Sequence, residues 1–172
     1  NGGDLPYPLS IFVWIAGLDD FLPILNKHLP SLHRKFISYY RESREIGWVG
    51  GTAMIIESDV FKKIGYLDDN IFMYAEDIDF CLRAKKAGFK IGWIENAKMV
   101  HKGGASLDEV HYRQWLGEYQ GLIYIYKKHF GLLSSFFLKV LIYIFTLVRI
   151  VAFFLFGKLE VSKTYAKIIA HI

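Results

Sequence analysis

Proton chemistry in this chain has one strong candidate, an acidic pair that opens a helix. Glu76 and Asp77 begin the segment Glu76-Asp-Ile-Asp-Phe-Cys-Leu-Arg83, directly after the apolar, strand-like run 67–74. A helix N-terminus has unpaired N–H groups and the positive end of the helix dipole, so a carboxylate there stays ionised and oriented. Such a carboxylate can take the proton of an alcohol. For an isolated acidic pair, plain helix capping is the default reading. Asp79 stands four residues before Arg83, the spacing of an exposed helical ion pair that contributes only a few tenths of a kcal/mol. Asp77-Ile-Asp79 also spells an Asp-x-Asp, a common cation-holding signature. Within a helix, however, those two side chains point roughly 200° apart and cannot grip one ion together.

Several elements must place this pair. Residues 48–57 read as a buried strand entered through Gly50 and Gly51. Ser58 is a candidate N-cap for a helix over 59–64, closed by Gly65. Residues 67–74 read as extended, with Asp68 as a turn former. The acidic helix should run over 76–87 and stop at Gly88, with Ile78, Cys81 and Leu82 facing the core at i, i+3, i+4 spacing. Short strands are expected at 90–94 and 97–100. Upstream, Gly2, Gly3, Pro6 and Pro8 mark residues 1–10 as loop, and 11–16 reads as a short strand. Pro23 and Pro30 break any long helix over 21–40, and 33–44 is a polar connection. Downstream, a long helix over 108–130 precedes an apolar stretch, 132–156, and an amphipathic tail.

The chain has 172 residues, 53% hydrophobic and 17% aromatic. That is too apolar for disorder and rich for an ordinary soluble domain. One cysteine, Cys81, permits neither an internal disulfide nor a cysteine metal cluster. Residues 1–110 carry 13 Lys+Arg against 15 Asp+Glu, whereas residues 111–172 carry 8 against 2. The cationic surplus therefore falls on the apolar C-terminal part, which points to an anionic membrane surface. No basic stripe interleaved with aromatics argues for nucleic acid.

Five spaced elements carry a resemblance. They are Trp48-Val-Gly-Gly-Thr-Ala-Met54, Phe61-Lys-Lys-Ile-Gly-Tyr-Leu-Asp68, Phe72-Met-Tyr-Ala-Glu-Asp-Ile-Asp-Phe-Cys-Leu-Arg83, Ala87-Gly88, and His101-Lys-Gly-Gly-Ala-Ser106. In this order, over residues 48–106, the chain resembles family 2 glycosyltransferases of the rhamnosyltransferase-like type. The resemblance implies an α/β class, the C-terminal part of a GT-A, Rossmann-like domain, followed by long apolar helices. It implies an inverting transfer from a nucleotide-sugar donor to a saccharide or lipid-linked acceptor, with Asp77 as general base. Glu76 and Asp79 would position the acceptor or hold the helix, and Trp48 would offer a stacking face. Gly50 and Gly51 would let substrate approach the backbone. His101 would help hold a divalent metal (Mg2+ or Mn2+) or the departing diphosphate. Each assignment has a structural alternative: a core aromatic at Trp48, a strand bulge at Gly50-Gly51, a purely structural His101.

The donor-binding half of such enzymes, with its own Asp-x-Asp, is not among these residues. Asp19-Asp20 precedes Phe21 and Pro23 and follows no long apolar strand, so it is no substitute. The chain accordingly reads as a fragment, inactive alone, with the main metal ligands expected in the N-terminal half. Its domains are read as 1–130, the partial transferase domain, and 131–172, a membrane-associated helical tail. Residues 132–156 carry only Lys139 and Arg149 as charges and are long enough to cross a bilayer. A helix lying in the interface fits equally well. The expected location is the cytoplasmic face of the cell membrane, peripheral or anchored. The alternative function is a non-catalytic, membrane-associated interaction module.

Overall fold

Glycine and proline placement shapes the start of the chain, and the apolar stripes of its helices shape the rest. The computed structural model describes residues 2–18, 29–100 and 110–172. Its elements are β1 (Gly2–Gly3), α1 (Pro8–Ile15), β2 (Arg44–Glu45), β3 (Trp48–Val49), α2 (Ser58–Ile64), α3 (Glu76–Lys86), β4 (Gly92–Trp93), α4 (Val110–Phe130), α5 (Leu132–Leu155) and α6 (Leu159–Ile169). Single-turn 3-10 helices occur at Ile37–Tyr40 and Gly51–Ala53. The chain divides into two compact units. The first comprises Asn1–Asn70 and Glu76–His101, the second Ile71–Ala75 and Lys102–Ile172. From residue patterns the domain boundary is expected at 130/131. In the structure α4 packs on α5 and α6, so the helical unit includes 110–130.

In the first unit β1 pairs antiparallel with β3, Gly2 opposite Val49 and Gly3 opposite Trp48. The expected opening loop is thus an edge of the fold. A Cβ on Gly3 would lie 1.7 Å from the Leu32 carbonyl oxygen, so only glycine lets the two backbones approach. The Tyr40 hydroxyl sits 2.7 Å from both the Gly2 and Arg34 carbonyl oxygens, and burial pushes its pKa up to about 12. A second ladder pairs β2 with β4, Arg44 opposite Trp93. Helix α3 is the centre of this unit, with Ile78, Phe80, Cys81 and Leu82 each no more than 2% exposed. Its far end packs Phe80 and Ala84 on Val60 of α2.

Three expectations are corrected. Residues 11–16 are helical rather than a strand: Pro8, with φ already near the helical value, sits in the first turn of α1, and the Ser10 hydroxyl satisfies the Tyr7 carbonyl at 2.9 Å. The strand at 48–57 ends after Val49, because the chain turns into the Gly51–Ala53 3-10 helix. Residues 97–100 form no strand, and 90–94 contributes only β4. The α/β class therefore holds only in part, since the described residues form two two-stranded ladders among six helices. Helix α2 begins one residue earlier than read, with Glu57 extended at its N-cap, and ends at Gly65 with φ 77°. Asp68 turns the chain as read, its Oδ1 accepting from the Asn70 amide at 3.0 Å.

The second unit is a helical hairpin extended by α6. Leu122, Ile125, Leu138, Ile142 and Ile168 are at most 3% exposed and form its core. Gly117 and Gly121, one turn apart on α4, admit the segment Ile71–Ala75 at close range. A Cβ on Gly121 would stand 2.8 Å from the Ala75 Cβ and 2.9 Å from the Tyr74 carbonyl oxygen.

Candidate active site

The site is built on the first turn of α3, and its position begins with the backbone just ahead of it. Tyr74 and Ala75 have φ of 68° and 76°, a left-handed conformation that costs a non-glycine residue roughly 1–3 kcal/mol. Nothing in the residue types announces them.

Asp77 then presents a half-buried carboxylate. Its Oδ1 accepts from the Ile78 amide at 2.8 Å, and its Oδ2 accepts from the Gly51 amide at 3.0 Å. These two backbone N–H donors, one from the first turn of α3 and one from the Gly51 turn, hold the carboxylate in one orientation. Gly51 is exposed and acts through its own N–H. A Cβ there would meet the Asp77 Cβ at 3.7 Å and Oδ2 at 3.9 Å, an ordinary contact. Gly50, at φ −66° and ψ 138°, is in extended backbone open to any residue, and the two glycines lead a 3-10 turn, not a strand bulge. Glu76 is half-buried in the same helical turn.

Two site candidates sit deeper than expected. Asp79 is fully buried, with its Oδ2 2.7 Å from Arg83 Nε. Arg83 also donates to the Ile64 and Tyr66 carbonyl oxygens, each at 2.7 Å. The anticipated exposed ion pair is instead a buried clamp between α3 and the end of α2, which fits the helix-holding alternative for Asp79. The rings of Trp48 are also in the core, 3% exposed. Its Nε1 donates to the Leu32 carbonyl at 2.7 Å, and its ring meets His33 edge-on at 5.1 Å. That corrects its reading as a stacking platform: no face is left for a sugar ring. His101 lies outside the described residues.

Behind Asp77, the Cys81 thiol is 2% exposed and faces the Val49 carbonyl oxygen at 4.0 Å. Burial, with a further push from the Asp77 charge, raises its pKa to about 11. It is a packing group, not a nucleophile. A surface hollow of about 640 Å³ lies elsewhere in the first unit, between Tyr40, Trp93 and Met99. None of the described site candidates lines it, and its carboxylate, Glu95, is exposed.

An oriented carboxylate beside open backbone suits the deprotonation of an incoming alcohol. A family model, glycosyl transferase family group 2, matches residues 28–169. The chain belongs to that family. Among its relatives, a low-salt glycan biosynthesis hexosyltransferase of Haloferax volcanii is 41% identical over 51 residues, 30% of this chain and 17% of the relative. The N-acetylglucosaminyl-diphospho-decaprenol L-rhamnosyltransferase of Mycobacterium tuberculosis is 33% identical over 58 residues, 34% of this chain and 19% of the relative. The rhamnosyltransferase WbbL of Escherichia coli is 32% identical over 56 residues, 33% of this chain and 21% of the relative. The matched stretches thus span about a fifth of each relative's length. No solved structure matches the chain.

Family membership raises the question of a metal. Among the described residues no three His, Cys, Asp or Glu side chains converge on one point, and the carboxylates of Asp77 and Asp79 are engaged by different groups. The described residues do not by themselves fit a divalent ion.

Proposed function

We propose that this family group 2 chain carries the acceptor side of an inverting glycosyltransferase of GT-A fold, with Asp77 as its general base. The carrying observation is the Asp77 carboxylate, half-exposed at the start of α3 and held by the Ile78 and Gly51 amides. The donor is a nucleotide sugar. The acceptor is a saccharide or lipid-linked saccharide, the latter in keeping with the diphospho-decaprenol in the mycobacterial relative's name.

In the proposed step the acceptor hydroxyl oxygen forms a bond to the anomeric carbon from the face opposite the nucleotide. The bond from that carbon to the diphosphate oxygen breaks, and its electron pair leaves with the nucleotide diphosphate. The hydroxyl proton passes to Asp77. Glu76, Gly50 and Gly51 border the acceptor, while Asp79 and Trp48 support from behind. A divalent ion, Mg2+ or Mn2+, and the donor contacts belong to the proposal with His101 as one contributor and the main ligands outside these residues. The place of action is the cytoplasmic face of the cell membrane, by peripheral or anchored attachment.

The test is Asp77→Asn in the full-length enzyme. General-base loss should lower kcat by about 10²–10⁴-fold, while calorimetry finds nucleotide-sugar affinity unchanged. Wild-type turnover in that variant would remove Asp77 from the role.

A further inference from the structure

Helix α5 is built inside out. Its buried stripe is Ser135, Leu138, Ile142 and Thr146, and the Ser135 hydroxyl donates to the Ile123 carbonyl at 2.9 Å. Its outward face shows Phe136, Phe137, Ile144, Leu147, Val151 and Phe154, all at least half exposed. Arg149 is turned inward, its Nη1 3.5 Å from the Tyr119 hydroxyl and its guanidinium 5.8 Å from the Tyr165 ring centre. Lys139 is therefore the lone charge on the outer face of the helix. An outer face more apolar than the inner one belongs in lipid, not in water. The charge of the same segment, 8 Lys+Arg against 2 Asp+Glu over 111–172, complements anionic headgroups.

The neighbours of α5 decide how it enters. Its 24 residues, about 36 Å of helix, are long enough to cross a bilayer. Helix α6 packs beside it, the Ser162 hydroxyl donating to the Ile150 carbonyl at 2.9 Å and Tyr165 stacking on Phe153. The outer side of α6 carries the exposed Glu160–Lys163 pair, 2.8 Å apart, and exposed Lys167. Helix α4 adds exposed Arg113, Lys127 and Lys128. Were α5 to span, it would carry the α6 charges into hydrocarbon, where exposed ions are strongly disfavoured. Laid flat, it sinks its apolar face and leaves those charges at the headgroups.

We propose that α5 lies lengthwise in one leaflet of an anionic bilayer, in the membrane plane, with α4 and α6 covering it on the water side. This deepens the membrane attachment in the proposed function, and its test reads depth rather than sugar transfer, so each can fail without the other. Cysteines placed at Phe136, Leu147 and Phe154 of the intact chain would carry nitroxide labels; native Cys81 is buried and protected. Vesicles of phosphatidylcholine with phosphatidylglycerol should bind the chain at least ~10-fold more tightly than phosphatidylcholine alone. The three labels should report one shared depth within a single leaflet. Phe137→Asp with Leu147→Asp should abolish vesicle binding while the helical circular dichroism persists. A depth that peaks mid-helix, with the two ends reachable from opposite sides of the vesicle, would overturn the proposal. So would a soluble monomer that ignores both vesicles, or a soluble dimer in which the labels are mutually shielded.

Discussion

Helices α3 and α5 both bury polar side chains, yet they face different surroundings. On α3, Asp79 goes inward with Ile78, Phe80 and Leu82, and Arg83 neutralises it, while Lys86 points outward. On α5 the fully buried polar groups are the Ser135 and Thr146 hydroxyls, and half-buried Arg149 turns towards Tyr119 and Tyr165. Its outward face is mostly phenylalanine and aliphatic side chains. A charge inside the first unit survives because three hydrogen bonds surround its partner, Arg83. The hydroxyls of α5 need only a nearby carbonyl or neighbour, because little else polar is on offer. The contrast teaches that burial alone does not reveal the medium a helix was selected for. The outer face does.

The largest effect that sharpens this contrast is Asp79→Ala. It leaves the Arg83 guanidinium buried without its carboxylate and should cost about 3–5 kcal/mol by urea unfolding. A loss below 1 kcal/mol would show that the clamp is no different from a surface pair. Next is Gly121→Ala in the helical unit. The added methyl meets Ala75 at 2.8 Å, and overpacking of that kind costs about 1–3 kcal/mol; unchanged stability would mean that the segment Ile71–Ala75 yields freely. Ser135→Ala should cost only about 1 kcal/mol, the net worth of one neutral hydrogen bond, and a penalty as large as that of Asp79→Ala would erase the distinction between the two helices.

The smallest effect is a pH dependence. The Cys81 pKa is raised to about 11 in the folded chain, so the unfolded thiol ionises first. Its contribution to stability is fully present below the ordinary thiol range and is lost as pH climbs towards 11. Alkylation of the native chain at pH 8 should accordingly be slow and should speed up on unfolding. Rapid native labelling would place the thiol at the surface and α3 in another register.

Parts of this were legible in the residues. Gly65 and Gly88 close their helices with φ of 77° and 92°, and the spacing of Ile78, Cys81 and Leu82 marked the buried face of α3. The helix start at 76, the long helix expected over 108–130 (described from Val110) and the apolar stretch from 132 rest on residue types and spacing, which are local properties. The strands were overread, because a run such as Trp48-Val-Gly-Gly-Thr-Ala-Met54 is apolar enough for a ladder but has no partner beyond Val49. Pairing is a property of two segments, and periodicity sees one. The α1 error has a similar root: a short apolar run suits helix and strand alike, and Pro8 tips it.

By itself the sequence determined the family, the acidic helix start and the charge surplus on the apolar C-terminal part, since these rest on residue identity and local spacing. Tertiary structure decided which carboxylate meets the surface. Helix geometry points Asp77 and Asp79 to different sides, but the packing around them decides that Asp79 is sealed with Arg83 and Asp77 stays half-exposed beside Gly51. It also turned Trp48 into core and Arg149 inward, because the direction of a side chain depends on what the rest of the chain packs against it.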